Sequence, residues 1–146
     1  MPKGPLPSGN VIGAATVERE SKPDTNVPGD WSFKVKNNGD TPWPAGTIFT
    51  LDKREIIGPG ITDIEIPVGE ILPSKFYTVK GIDIYAPKIP GEYKYYFSFK
   101  THADIKKGEY IEKGEYFGKQ MVLIIKVVSD VAAQIPGRLP EEESRE

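Results

Sequence analysis

The sequence predicts an all-β protein built as an antiparallel β-sandwich, and three observations carry that expectation. Apolar and aromatic residues recur at every second position in two stretches, Trp31-Phe33-Val35 and Tyr93-Tyr95-Phe97-Phe99. A period of two places each set on one face of a strand. The 146 residues include 15 Gly and 14 Pro, which marks many turns and leaves little room for long helices. Finally, the corner Ala86-Pro87-Lys88-Ile89-Pro90-Gly91 cannot be helical. Proline fixes φ, lacks an N–H and pushes its predecessor toward extended geometry.

Residues 1–12 read as a flexible arm rich in Pro and Gly. Residues 14–20 form a first edge strand through Thr16-Val17-Glu18, and residues 21–30 are turn chemistry nearly throughout. Trp31, Phe33 and Val35 then face inward, alternating with Ser32, Lys34 and Lys36, until Asn37-Asn38-Gly39-Asp40 turns the chain. Two prolines, Pro42 and Pro44, bracket Trp43 and pin its indole. Residues 47–51 are the next strand, with Phe49 and Leu51 inward; a turn follows at Gly58-Pro59-Gly60 and a short strand at 64–66. Residues 75–85 alternate again, with Ile82 and Ile84 on one face and Gly81 marking a bulge. Residues 93–99 and 116–128 complete the set, and no segment shows a helical period.

Length and composition predict one core-bearing domain at 13–130, followed by a Pro-rich tail at 131–146 that turns acidic at Glu141-Glu142-Glu143. A net charge of −2 gives no electrostatic case for nucleic acid or an anionic membrane surface. The longest apolar run, residues 121–125, is far too short to span a bilayer, so no membrane insertion is expected. There is no cysteine, no Asn-x-Ser/Thr sequon and no apolar h-region near Met1. A cytoplasmic location follows as the expectation, cytoskeleton and cilium included.

The chemistry-bearing residues are sparse. His102 is the single histidine and reads as a solvent-facing loop residue. One His without Cys gives no base-and-nucleophile pair of the usual kinds. Asp63, Glu65, Asp83 and Glu92 fall on alternating or turn positions that read as solvated faces. No phosphate loop, dinucleotide fingerprint or His-Glu-x-x-His is present. No enzymatic activity, metal or cofactor is expected.

A specific resemblance rests on several motifs in order: Pro28-Gly29 before the first aromatic strand, Lys36-Asn37-Asn38-Gly39-Asp40-Thr41-Pro42-Trp43-Pro44-Ala45-Gly46-Thr47, Ala86-Pro87-Lys88-Ile89-Pro90-Gly91-Glu92-Tyr93, and Tyr116-Phe117-Gly118. Together they resemble the four-tryptophan (FW) domain of the next-to-BRCA-one family of autophagy receptors and its relatives, across residues 14–128. The resemblance implies an immunoglobulin-like antiparallel β-sandwich of about seven strands that holds protein cargo or protein partners. Of the family's tryptophans only Trp43 stands in place. By spacing, Phe33, Phe97 and Val122 occupy the other positions, and Trp31 is an extra indole.

Against the family pattern, residues 100–116 stand where relatives have a tight hairpin, and they contain Lys107-Gly108-Glu109-Tyr110 followed by Lys113-Gly114-Glu115-Tyr116. This tandem reads as a duplicated insertion, either a tolerated excursion or a projecting hairpin whose Tyr110 and Ile111 contact a partner. In the aromatic row, Phe97 and Phe99 read as core, while Tyr95 and Tyr96 open toward water. Phe76-Tyr77-Thr78-Val79 matches an aromatic-x-x-aliphatic docking pattern but lacks the acidic flank and reads as strand.

The functional expectation is a non-catalytic adaptor that binds protein partners through Trp43, Pro42, Pro44, Tyr110, Ile111 and Tyr95. A sheet edge open to strand addition joins them. Two alternatives are a small architectural subunit of a cytoskeletal or ciliary assembly, and a carbohydrate-binding accessory that uses the aromatic strand.

Overall fold

The computed structural model describes residues 7–56 and 63–129. The turn expected at 58–60, the first half of the expected arm and the tail at 131–146 lie outside the described residues. Twelve strands and no helix occur among the described residues. In the first half they are β1 (Asn10–Val11), β2 (Thr16–Ser21), β3 (Asn26–Val27), β4 (Ser32–Lys36), β5 (Ile48–Leu51) and β6 (Glu65–Pro67). Then come β7 (Phe76–Lys80), β8 (Ile84–Tyr85), β9 (Gly91–Lys100), β10 (Ile105–Lys107), β11 (Tyr110–Glu112) and β12 (Tyr116–Val127).

Two sheets make an immunoglobulin-like sandwich, a three-stranded one ordered β1-β4-β7 and a five-stranded one ordered β2-β12-β9-β5-β6. The ribbons β3-β8 and β10-β11 stand apart from both. Pairing is antiparallel except between β12 and β2, which run parallel, with Val122 opposite Thr16 and Val127 opposite Ser21. The alternation read from the sequence is the alternation observed at Phe33 and Val35, which point inward from the small sheet, and at Phe49, Leu51, Phe97 and Phe99, which point inward from the large one; Val79 joins them from the small sheet. Cross-sheet ring contacts close the gap, Trp31 to Phe97 at 5.7 Å and Phe33 to Phe49 at 6.0 Å between centroids.

Several expectations are corrected. Residues 10 and 11, assigned to the arm by composition, pair with Lys36 and Val35 and are therefore part of the small sheet. Val122 does not take a core position; it is half-buried opposite Tyr96, and Met121 points inward instead. The register with β9 shifts between Phe117 and Met121, where Gly118 adopts φ +80 and β12 carries two residues more than β9. Two is an even number, so the inward parity is kept: Phe117, Met121, Leu123 and Ile125 share the core face and Val122 lies on the other.

Ile82 is likewise not on a strand face with Ile84. Strand β7 stops at Lys80, and Ile82 is 40% exposed whereas Ile84 is buried. Gly81 ends the strand without a bulge, donating its N–H to the Trp31 carbonyl at 2.7 Å. A Cβ on Gly81 would sit 2.3 Å from two atoms of the Trp31 indole. Only glycine admits this approach of backbone to ring. Gly81→Ala must displace the indole from the core, and the expected loss is about 2–3 kcal/mol, read as a lower denaturant midpoint. An unchanged midpoint would show that Trp31 is free to move aside.

Candidate functional site

Of the candidate contact residues, the structure leaves Tyr110 and Ile111 in solvent and withdraws two aromatics. Trp43 has no accessible surface. Its ring lies 4.6 Å from that of Phe99 and 5.3 Å from that of Phe117, and its Nε1 donates to the Ser8 carbonyl at 2.8 Å. Gly9 passes so close beneath that a Cβ there would come within 2.8 Å of the ring. Trp43 is thus a plug that fastens the N-terminal segment over the core, with Pro42 exposed and Pro44 half-buried beside it.

Tyr95, expected to open toward water, is only 1% exposed because β9 points it inward with Phe97. Burial, with the Tyr93 hydroxyl adding to it, pushes its pKa up to about 12. The Tyr95 hydroxyl, like Trp31 Nε1, has no hydrogen-bond partner among the described residues.

The insertion is an ordered hairpin. Lys107 pairs with Tyr110 across the two-residue loop Gly108-Glu109. Gly108 has φ +60 and Glu109 keeps a negative φ, the pattern of a II′ turn with glycine first. Ile105 pairs with Glu112 and Lys106 with Ile111. Residues directly opposite share a face, so Ile105 and Tyr110 lie on one side of the ribbon and Ile111 on the other. All three are exposed, at 42%, 63% and 56%. The role of Ile105 was missed in the sequence; a β-branched residue amid charges in the insertion was its only signal.

A two-stranded ribbon is marginal by itself, so its foothold matters. Lys100 Nζ donates to Asp104 at 2.8 Å, and the Gly114 N–H donates to the same carboxylate oxygen at 3.2 Å. The hydrogen bond from Lys100 outweighs burial and holds the Asp104 carboxyl below its ordinary range. Glu115 N–H donates to Thr101 Oγ1 at 2.9 Å, and Thr101 N–H returns to the Glu115 carbonyl at 3.0 Å. Gly114 packs against His102 so closely that a Cβ would overlap the carbonyl oxygen at 1.9 Å. The two Lys-Gly-Glu-Tyr copies therefore do different work: the first turns the tip, the second closes the base. His102 is half-buried in that base, contrary to the solvent-facing expectation, and its Nδ1 lies 2.7 Å from the Ala103 carbonyl.

Beneath the foothold Tyr116 sits between two cations, Arg54 at 4.7 Å and Lys100 at 5.0 Å from its ring. Arg54 also grips Asp52, whose side chain is fully buried. Burial alone would raise the Asp52 carboxyl. Hydrogen bonds from Arg54, Ser98 and Gln120 overcome it and hold the group well below the ordinary carboxylate range. Gln120 comes from the irregular stretch of β12 and donates to Asp52 Oδ2 at 3.1 Å. No group of three or more His, Cys, Asp or Glu side chains suited to a metal ion occurs among the described residues.

Comparison with protein-family models finds no match, and comparison with curated proteins finds none. Among solved structures, the ASH / PapD-like domain of human CEP192 (PapD-like domain 7) is similar to this chain, with a TM-score of 0.44 and 8% identity over 88% of this chain and 91% of that one.

Two measurements follow from this geometry. Tyr95→Phe removes a buried, unpartnered hydroxyl and is expected to stabilise the fold by about 1 kcal/mol in denaturant titration; a loss would reveal a partner for that hydroxyl. The depressed Asp52 pKa makes its contribution fully present above the unfolded carboxylate pKa near 4 and lost as pH falls through the folded value. Acid destabilisation below that point should be shallower in Asp52→Asn than in the parent, and parallel curves would contradict the network.

Proposed function

We propose that the chain is a non-catalytic protein-interaction module whose contact element is the β10-β11 arm. One observation carries this: Ile105, Tyr110 and Ile111 are exposed on a ribbon whose base is locked by backbone, carboxylate and ring contacts. Large side chains presented on an ordered support lose little freedom on docking, and tyrosine is favoured hot-spot material. The arm's two faces suit a groove or a clamp better than a flat surface. The resemblance to the four-tryptophan domain supports an adaptor or cargo-binding role. The burial of Trp43 and the exposure of Tyr110 and Ile111 support a contact on the insertion instead of on the indole.

No helix among the described residues is long and apolar enough to cross a membrane. A protein partner is the proposal, in the cytoplasm and including cytoskeletal or other large assemblies. Co-purification at fixed stoichiometry that resists salt distinguishes an architectural subunit from a reversible adaptor.

The test is cross-linking in native extract with the parent chain and with Tyr110→Ala/Ile111→Ala. Both residues are exposed, so the melting temperature should stay the same while recovery of cross-linked neighbours falls at least about tenfold. Identical neighbours at identical yield would reduce the arm to ornament, and measured turnover traced to these strands would overturn the non-catalytic assignment.

A further inference from the structure

At the opposite end of β9 and β12 from the arm lies a cleft of about 420 Å³. Its walls are Tyr85, Pro87, Ile89 and Tyr93, with Asp24 and Lys88 at the rim. Tyr85 and Ile89 are 63% and 72% exposed, a large apolar area for a surface site. The walls are fixed. Asp24 N–H donates to the Pro87 carbonyl at 3.2 Å, Ala86 N–H to the Thr25 carbonyl at 2.8 Å, and the Tyr93 hydroxyl to the Ile89 carbonyl at 2.5 Å. Rigid tyrosine and proline surfaces of this kind receive extended, proline-containing segments, whose ordering cost is already low.

The chain itself brings such a segment to the spot. Val127 pairs with Gly91, two residues before Tyr93, and Val128 N–H donates to the Ser21 carbonyl at 2.9 Å, three residues before Asp24. Residues 128–129 therefore leave the sandwich between the two stretches that build the cleft. Six residues beyond Ser129 comes Ile135-Pro136-Gly137-Arg138-Leu139-Pro140, and an extended chain covers about 20 Å in six residues. Each proline biases its predecessor to extended geometry. A polyproline II helix returns to the same side every third residue, about 9 Å along its axis, and Pro136 and Leu139 are three apart in the sequence. Arg138 and the glutamates from Glu141 onward are opposite in sign to Asp24 and Lys88 at the rim.

We infer that this cleft is a docking site for an extended, proline-containing segment and that its occupant is the chain's own residues 134–140. Tethering so close raises the effective concentration of the tail into the millimolar range. This inference does not depend on the arm.

The experiment compares tyrosine ring resonances in the full chain and in full-length Ile135→Asp/Leu139→Asp. Tyr85 and Tyr93 should shift between the two chains while Tyr110 stays put. A synthetic peptide of residues 130–146 should return them toward the parent positions when added to the variant, and should do so at least tenfold less effectively when Ile89→Asp is also present. Superimposable Tyr85 and Tyr93 signals in parent and variant would overturn the assignment. So would shifts that depend on protein concentration, which would give the cleft to a second copy. An unrelated proline-rich peptide that binds parent and variant equally would overturn it as well.

Discussion

Everything in this fold depends on aromatic rings meeting across the gap between the sheets. Trp31 reaches Phe97 and Phe33 reaches Phe49 across it, and within the large sheet Phe49 stacks on Phe97 at 4.9 Å with planes only 11° apart. Each such pair adds about 0.5–1.5 kcal/mol beyond the area it buries. The chain accepts a polar cost to keep them, since Tyr95 Oη and Trp31 Nε1 lie buried without partners among the described residues. Close approach to those rings then dictates where glycine must stand: Gly81 against Trp31 and Gly9 against Trp43.

The two elements proposed for recognition stand at the ends of this ring-packed core. The long strands β9 and β12 connect two such ends. At one, the chain between them extends into the β10-β11 arm, held by Lys100, Asp104 and Gly114. At the other, the start of β9 meets the corner before it and the loop after β2 to form the tyrosine-lined cleft. The buried Asp52 cluster belongs to the first end, since Gln120 ties the irregular part of β12 to it and Arg54 packs on Tyr116.

Most of the sandwich was legible in the sequence because its strands carry strict period-two patterns, and burial enforces that period. Phe33 and Val35, Phe49 and Leu51, Phe97 and Phe99 all face where alternation put them. Legibility failed where a position was matched to a family pattern instead of counted along its own strand. Val122 was assigned by its spacing against the family's tryptophans, whereas counting by twos from Phe117 gives Met121, the residue that is buried. Trp43 and Tyr95 could be core or contact surface by residue type alone; the depth of packing from distant segments such as Ser8 decides it. The cleft was invisible for the same reason, because Asp24 and Tyr93 meet only through tertiary structure. On the arm, by contrast, Tyr110 and Ile111 stood out as apolar residues inside a charged insertion.

The central claim is a division of labour between a rigid aromatic sandwich and a separately anchored arm. Residue-resolved native-state hydrogen exchange on the full chain tests it most directly. The account predicts that amides of Phe97, Phe99, Leu123 and Ile125 exchange only through global unfolding, whereas those of residues 105–112 exchange through a smaller opening of the arm. Equal protection of arm and core, or early exchange in β9 and β12, would contradict it.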